Sequence, residues 1–102
     1  MNIIYLLTNL TNNKKYIGQK VECRIENLDG IDVIINNRTE LPYYGSSSNI
    51  LMKEDIKFHK FKAEILEQVL DKKKICERED YWIRFYNAVE SEDFYNLSHS
   101  LN

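Results

Sequence analysis

One carboxylate of the sequence lies where a large apolar side chain would be expected. Near the C-terminal end, residues with helical spacing share one face: Ile75, Glu79, Trp82, Ile83 and Tyr86. Turning Glu79 toward a core without a partner would cost several kcal/mol, so it needs a cation, a metal ion or a hydrogen-bond network. If it lies at the rim of this face, a lysine or water satisfies it, and periodicity alone leaves both interpretations open. Glu77 and Asp80 fall off the face and are expected to point to solvent.

Tyrosine is the second residue type that could do chemistry here. The chain has seven tyrosines, and Tyr5 and Tyr16 lie on its first two strand-like segments, close to lysines. A tyrosine hydroxyl normally titrates at about pH 10, but an adjacent ammonium group favours the phenolate, which can act as a general base. The alternative is that both rings simply pack in the sheet with their hydroxyls in water.

The elements that must position these side chains can be inferred from local patterns. Two β-prone runs separated by an Asn-rich loop, Ile3–Leu7 and Lys15–Gly18, predict a hairpin. Residues 22–42 contain two turn signals and predict either an inserted hairpin or a long ordered loop. The remaining elements are expected to be a helix, a strand, a longer helix and an anchoring tail: 49–57 with Ser48 as N-cap, 61–69, 71–86 with Asp71 as cap, and 94–97. This order predicts an α+β fold (an α/β sandwich) in which a small, largely antiparallel three-stranded sheet is flanked by helices.

Length and composition restrict the class of protein. With 102 residues, 43% of them apolar and 29% charged, the chain has the size and composition of one globular domain with a single core. No apolar run approaches the ~20 residues that span a bilayer, and the short apolar start lacks the basic flank of an export signal. With only two cysteines, an intracellular and reduced protein that is not secreted is expected.

The net charge gives a mixed indication about nucleic acid. The formal charge of −2 argues weakly against a nucleic-acid partner. However, lysines gather on the first hairpin and in the middle of the chain, whereas the acid excess lies between Ile75 and Asn102. A charge run is usually solvated surface, but a locally basic face on a globally acidic protein stays open.

Short motifs follow one another along almost the whole chain. Ile3-Ile4-Tyr5 is followed by Tyr16-Ile17-Gly18 at the far end of the first hairpin. Further motifs are found in the hairpin, before the first helix, in the third strand, in the second helix and in the tail: residues 8–19, 44–47, 61–67, 77–83, and 87–89 with 94–97. In this order they resemble the GIY-YIG nuclease superfamily, and within it the catalytic domain of phage-type homing endonucleases. Ile3 stands in place of the first glycine of the name motif.

The resemblance implies a fold, an activity and a set of site residues. It implies the GIY-YIG fold and a metal-dependent DNA endonuclease that hydrolyses phosphodiester bonds. One Mg²⁺ or Mn²⁺ per active site would be held by Glu79, since hard cations prefer oxygen ligands and often take few from protein. Tyr5 and Tyr16 would stand beside the attacking water, one as general base and one positioning it. Tyr43 is expected to matter far less.

Positively charged and polar residues complete the implied site. The family's arginine is expected soon after the second tripeptide, where Arg24 is the nearest candidate and Lys20 and Arg38 are alternatives. Lys15 would lower the tyrosine pKa, and Asn96 would shape the site by hydrogen bonding. Further contacts with the DNA backbone are expected from basic side chains of the hairpin and the middle of the chain: Lys14, Lys20, Lys57, His59 and Lys60.

The expected organisation is one GIY-YIG-like catalytic domain over residues 1–102, without a separate DNA-binding domain. Its partner would be DNA and not a membrane, and a homodimer or a partner protein would be needed to break both strands. If a phage encodes it, it would work in the cytoplasm of the host cell. The alternatives are a catalytically weak GIY-YIG-like protein that binds DNA or regulates a partner, and a plain interaction domain.

Overall fold

Two small antiparallel sheets and two α-helices make up residues 1–99, the part of the chain that the computed structural model describes. The elements follow in the order β1 (Ile3–Asn9), β2 (Lys15–Lys20), β3 (Cys23–Leu28), β4 (Ile31–Asn36), β5 (Pro42–Tyr43), α1 (Ile50–Phe58), β6 (Phe61–Gln68) and α2 (Ile75–Phe85), with a 3₁₀ turn over Lys72–Lys74. The expected α+β class is confirmed. Within residues 1–99, neither helix combines the length and apolarity that crossing a bilayer requires.

Strand β1 is the centre of the first sheet, whose strand order is β2-β1-β6. All seven of its residues are buried, because each of its two faces covers a separate apolar cluster. Ile3, Tyr5 and Leu7 pack against the second sheet, α1 and the tail. Ile4 and Leu6 pack against α2 through Ile75 and Ile83, among others. A strand with two buried faces lacks the polar alternation of a half-exposed one, which explains the continuous apolar run at the start of the chain.

The segment over residues 22–42 is an inserted hairpin, the first of the two expected alternatives. It forms the second sheet, in the order β3-β4-β5. Asp29 and Gly30 connect β3 to β4 with φ angles of 53° and 85°, the positive values that a tight two-residue hairpin turn requires. Cys23 and Ile34 face the core beneath β1, so the insertion completes the core instead of covering it as a loose loop.

The caps of both helices differ from the sequence expectation. Helix α1 is capped by Asn49, not Ser48: its Oδ1 accepts from the backbone N–H groups of Leu51 and Met52 at 2.9 and 3.3 Å. Both residue types cap well, and Asn49 also donates from Nδ2 to the Tyr95 carbonyl at 2.9 Å. Asp71 caps the 3₁₀ turn through the Lys73 N–H at 3.0 Å, so α2 itself begins later, at Ile75.

Asp80 was expected to face solvent, and this expectation is wrong. Asp80 is buried, and one of its carboxylate oxygens accepts from Arg84 Nε at 2.7 Å. Helix α2 packs against both β1 and the edge strand β2, so its buried face is wider than the apolar stripe that periodicity defines. A neighbouring arginine one turn further along offsets the cost of burying the carboxylate.

The tail lies along the free edge of β2. The backbone of Lys15 accepts from Tyr95 N at 2.7 Å and donates to the Asp93 carbonyl at 2.8 Å. Asn96 accepts from the Ile17 N–H and donates to the Ile17 carbonyl, both at 2.9 Å. With Tyr95 buried in the core, the expected aromatic anchor is confirmed, and the tail pairs with the outer edge of β2 as a further strand would.

Candidate active site

Three tyrosine rings meet on one face of the first sheet. Tyr5 projects from the middle of β1, and its ring centroid lies 6.3 Å from that of Tyr16 on β2. The ring of Tyr43, on β5 of the inserted hairpin, meets Tyr5 edge-on at 6.1 Å. We call Tyr5, Tyr16 and Tyr43 the tyrosine cluster.

Two glycines make room for this cluster. Gly18 lies directly opposite Tyr5 in the β1–β2 register, and a Cβ on Gly18 would overlap the Tyr5 hydroxyl. A Cβ on Gly45 would lie 3.1 Å from the same hydroxyl and 3.2 Å from the Tyr16 ring. Gly45 also has a φ of 90°, which side chains rarely tolerate. The glycine of the second tripeptide is therefore required by the close approach of the Tyr5 hydroxyl.

A polar cleft opens beside Tyr16. It has a volume of about 190 Å³, and its lining is formed by Tyr16 and by small polar and tail residues: Ser46, Ser47, Ser48, Asn96, Leu97 and Ser98. Tyr5 is only 1% exposed, whereas Tyr16 is half-buried and reaches the cleft. Of these two tyrosines, Tyr16 is the one whose side chain lines the cleft.

Glu79 lies close enough to the tyrosine cluster for its charge to act on it. Burial is the main reason why the pKa of Tyr16 is raised to about 12, and the carboxylate of Glu79 is the next. The pKa of Tyr5 is raised well above 10.0, first by burial, then by Tyr43 and Tyr16, with Glu79 in the same direction. Negative charge beside a phenol disfavours the phenolate. The helix that carries Glu79 and the strands that carry the tyrosines therefore converge on one site.

The expectation that Lys15 lowers the tyrosine pKa is wrong. Consecutive strand residues point to opposite faces of the sheet, so Lys15 and Tyr16 diverge. The Lys15 ammonium instead donates to the Asn13 backbone carbonyl at 3.3 Å and to Asn13 Oδ1 at 3.4 Å.

Of the three candidate phosphate cations, Lys20 is the one that contacts the tyrosine cluster. Its Nζ lies 4.9 Å from the centroid of the Tyr43 ring. Arg24 is held by the second sheet, where it donates to Glu40 at 2.7 Å and to Asn37 at 2.9 Å. Arg38 is largely exposed and lies 3.6 Å from Glu22. The positive charge at the tyrosine cluster thus comes from β2.

Apart from Lys20, the basic residues expected to bind the DNA backbone are spread over other parts of the surface. Lys14 Nζ lies 5.7 Å from the Tyr95 ring, and Lys57 pairs with Glu54 at 3.2 Å. His59 is half-buried, with its Nδ1 hydrogen-bonded to the Asn9 side-chain amide at 2.8 Å. Lys60 is exposed at the end of α1. These side chains form no single cluster with the tyrosines.

A comparison with protein families identifies the domain. The family model described as "Putative endonuclease segE, GIY-YIG domain" matches residues 1–98. The chain belongs to the GIY-YIG family. No curated protein and no solved structure matches it significantly. The α+β fold with β1 and β2 as a central hairpin is consistent with that family, and an endonuclease activity is what the family supports in general.

The GIY-YIG site of this chain offers one carboxylate for a metal ion. Residues 1–99 contain no group of three or more His, Cys, Asp or Glu side chains that could enclose one. Mg²⁺ retains most of its water ligands and needs only one or two carboxylates plus substrate oxygens. Glu79 is half-buried and close to Tyr16, and as a single carboxylate it fits a hydrated ion of this kind and not a closed structural site.

Two features of this GIY-YIG site escaped the sequence analysis. Tyr43 was expected to be unimportant, yet it touches Tyr5, because the inserted hairpin returns to the sheet at that point. The serines before α1 were expected only to form a turn, but they also line the cleft. No local signal marks Tyr43, whereas Gly45 with its positive φ is the nearest indication that this segment approaches another chain segment closely.

The proximity of Glu79 to Tyr16 is testable without substrate. Glu79→Gln removes a negative neighbour of the phenol, so the pKa of Tyr16 should fall below the value of about 12. NMR titration of isotope-labelled tyrosine rings, assigned with Tyr16→Phe, measures the shift. Glu77→Gln, an exposed acid of the same helix, is the control and should leave the titration unchanged. An unaltered Tyr16 titration in Glu79→Gln would contradict the geometry.

Proposed function

We propose that this GIY-YIG domain is a metal-dependent DNA endonuclease that hydrolyses phosphodiester bonds with a water activated by tyrosine. The observation that supports the proposal is that Glu79 lies close to Tyr5 and Tyr16, and that Tyr16 lines an open polar cleft. The two tyrosines come from the two name motifs of the family and the carboxylate from a distant helix. Their proximity is what phosphodiester hydrolysis requires, since water, phosphate and leaving oxygen must be bound together.

Glu79 is the proposed ligand of one Mg²⁺ or Mn²⁺. When bound there, a divalent cation would stabilise charge on the phosphate and the leaving oxygen, and would place positive charge beside Tyr16. The side chains at the site supply the carboxylate of Glu79 and, beside Tyr16, a polar cleft. The Ser46–Ser48 hydroxyls at the cleft would donate to phosphate oxygens.

Tyr16 is the proposed general base, because it lines the cleft while Tyr5 is buried. Its hydroxyl oxygen, as the phenolate, accepts a proton from the attacking water. The resulting hydroxide forms the new bond to phosphorus as the bond to the 3′ oxygen breaks, and solvent protonates that oxygen. The raised pKa means that the phenol keeps its proton at neutral pH in the free protein, so this proton must leave to solvent before the oxygen can act as the base. Packing of the Tyr5 ring against that of Tyr16 would hold the Tyr16 ring in place.

Lys20 is the proposed phosphate contact. Its ammonium lies over the Tyr43 ring at 4.9 Å, so the lysine is directed to the site while its charge has no carboxylate partner within ion-pair distance among residues 1–99. Arg24, in contrast, is already paired with Glu40. Charge-assisted hydrogen bonds from an unpaired ammonium are the stronger option for a phosphate.

The metal role of Glu79 predicts a large loss of cleavage. Glu79→Gln keeps the size of the side chain but removes the charge that would bind the cation, so metal-dependent cleavage should fall by more than about 100-fold. The assay follows nicked and linear products from supercoiled DNA with Mg²⁺ or Mn²⁺. Glu77→Gln is the matched control. A Glu79→Gln protein that cuts like the parent would contradict the metal role, and a parent that binds DNA in a salt-sensitive way without cutting would favour the catalytically weak alternative.

The tyrosines should differ in a graded way. Tyr16→Phe removes the proposed base and should lower kcat by roughly 100-fold to 10,000-fold. Tyr5→Phe and Tyr43→Phe each remove a hydroxyl from the tyrosine cluster but keep the packed ring, and both should lower kcat by a smaller but measurable factor. Tyr44→Phe, on a ring that packs against Phe61, should have no effect. Equal losses of kcat in all four variants would contradict the role of Tyr16 as the general base.

Lys20 and Arg24 can be separated by salt dependence. Lys20→Ala should weaken DNA binding roughly 10-fold and reduce the slope of log K against log salt by about 0.9, the value for one phosphate contact. Arg24→Ala should leave both quantities near those of the parent. If Arg24→Ala changes the slope and Lys20→Ala does not, the phosphate contact lies on β3 and the assignment fails.

A further inference from the structure

Helix α2 presents a second surface, distinct from the one that carries Glu79. Residues 78, 81 and 85 follow the i, i+3, i+7 spacing of one helix face, and Lys74, the last residue of the 3₁₀ turn, directly precedes the helix. They form a stripe that runs from basic to aromatic side chains: Lys74, Arg78, Tyr81 and Phe85. Tyr81 is 46% exposed and Phe85 64%. We call these four residues the α2 stripe.

The α2 stripe is held in a fixed arrangement. The rings of Tyr81 and Phe85 stack with centroids 6.2 Å apart and an interplanar angle of 21°. The Arg78 guanidinium lies 4.5 Å from the centroid of Tyr81, and its Nε donates to Glu67 at 2.9 Å. Trp82 donates to the same carboxylate, also at 2.9 Å. A surface ordered in this way loses little conformational entropy when it is covered.

Charges of opposite sign flank the two ends of α2. The three lysines of the 3₁₀ turn, Lys72–Lys74, precede its first residue. An acidic group follows its last turn: Glu90, Glu92 and Asp93. Glu90 has an exposed side chain, with His99 at 3.8 Å as its ion-pair neighbour. The aromatic residues therefore lie between a basic and an acidic segment of the chain, and two such helices placed antiparallel would bring each basic segment toward the acidic segment of the other copy.

We propose that the α2 stripe is the surface through which two copies of this chain associate. A two-fold axis near Tyr81 would run the two α2 helices antiparallel, as a self-complementary interface requires. Phe85 of each copy would then meet Arg78 of the other, and Lys74 would approach Glu90 of the other. Exposed tyrosine, phenylalanine and arginine at the centre, with charges at the rim, is the composition typical of protein interfaces.

The surroundings of the stripe favour protein over nucleic acid. Arg78 is paired with Glu67, and Glu77 is exposed on the neighbouring face. These carboxylates would repel a phosphate backbone beside the rings. Glu79 lies at least about 100° around the helix from each residue of the stripe, so association of two copies leaves the tyrosine cluster and its cleft accessible.

The association of two copies does not depend on catalysis, but it would affect how the protein cuts DNA. Each copy would carry one cleft, and a two-fold pair would carry two. If the proposed nuclease function holds, the pair could cut both strands of a duplex in one encounter, where one copy could only nick it. This consequence rests on the proposed function, whereas the association itself is measurable without DNA or metal.

Sedimentation equilibrium of the full chain, without DNA or metal, tests the proposal. The parent should form dimers with a dissociation constant below about 100 µM. Phe85→Lys puts a cation opposite Arg78 of the other copy and should raise that constant at least about 10-fold. Phe58→Lys, at an 80% exposed position on α1, is the matched control and should dimerise like the parent. Circular dichroism and thermal unfolding verify that both variants fold.

Charge reversal tests the orientation. Lys74→Glu and Glu90→Lys should each weaken the dimer, and the double variant should recover at least part of the loss. A parent that is monomeric up to about 1 mM, equal effects of Phe85→Lys and Phe58→Lys, or the absence of recovery would each overturn the proposal. So would a monomeric parent that binds single-stranded DNA through Phe85. Because Glu79→Gln should still dimerise, failure of the nuclease proposal and failure of this one are distinguishable.

Discussion

Strand β1 has no solvent-facing side, and the rest of the domain is arranged around this constraint. Its odd-numbered residues must be covered by one layer and its even-numbered residues by another. Helix α2 covers the even-numbered face, and α1, the inserted hairpin and the tail cover the other. Tyr5 brings a hydroxyl into the middle of this buried strand. Its hydroxyl can be accommodated only because Gly18 and Gly45 have no side chains there, so the apolar core and the site are built from the same strand.

The crowding around Tyr5 has an electrostatic consequence. Three phenols and one carboxylate share a region with limited access to water, so burial and negative charge both raise the pKa of Tyr5 and Tyr16. Such a site resists forming a phenolate until positive charge is supplied. Lys20 contributes one positive charge, next to the Tyr43 ring. A cation bound by Glu79, as proposed, would supply further positive charge beside the tyrosines.

The features that could be predicted from the sequence are those set by interactions between residues close together in the chain. The β1–β2 hairpin, the Glu79 position on α2 and the aromatic tail are encoded in local periodicity and motif order, and the structure places them as expected. Asp80 and Lys15 were misjudged because burial at a helix flank and the facing of a strand residue depend on which neighbour packs there. Tyr43 and the choice of Lys20 over Arg24 depend on how the inserted hairpin returns to the sheet. That contact joins segments that are far apart in sequence, so no local sequence pattern predicts it.

The net charge of the domain can be interpreted more closely once the ion-pair partners of its arginines are known. Each of the four arginines lies within ion-pair distance of a carboxylate: Arg24, Arg38, Arg78 and Arg84. Guanidinium groups bound in this way stabilise the second sheet and α2, and their charge is largely neutralised toward an incoming phosphate. The positive charge available to DNA therefore comes from lysines, which are single point charges without the fork geometry of arginine. A net charge of −2 does not exclude DNA, and if Lys20 is the phosphate contact as proposed, binding would involve few phosphates and would be weak and dependent on salt. Under these conditions a second copy with its own cleft would add affinity without adding positive charge.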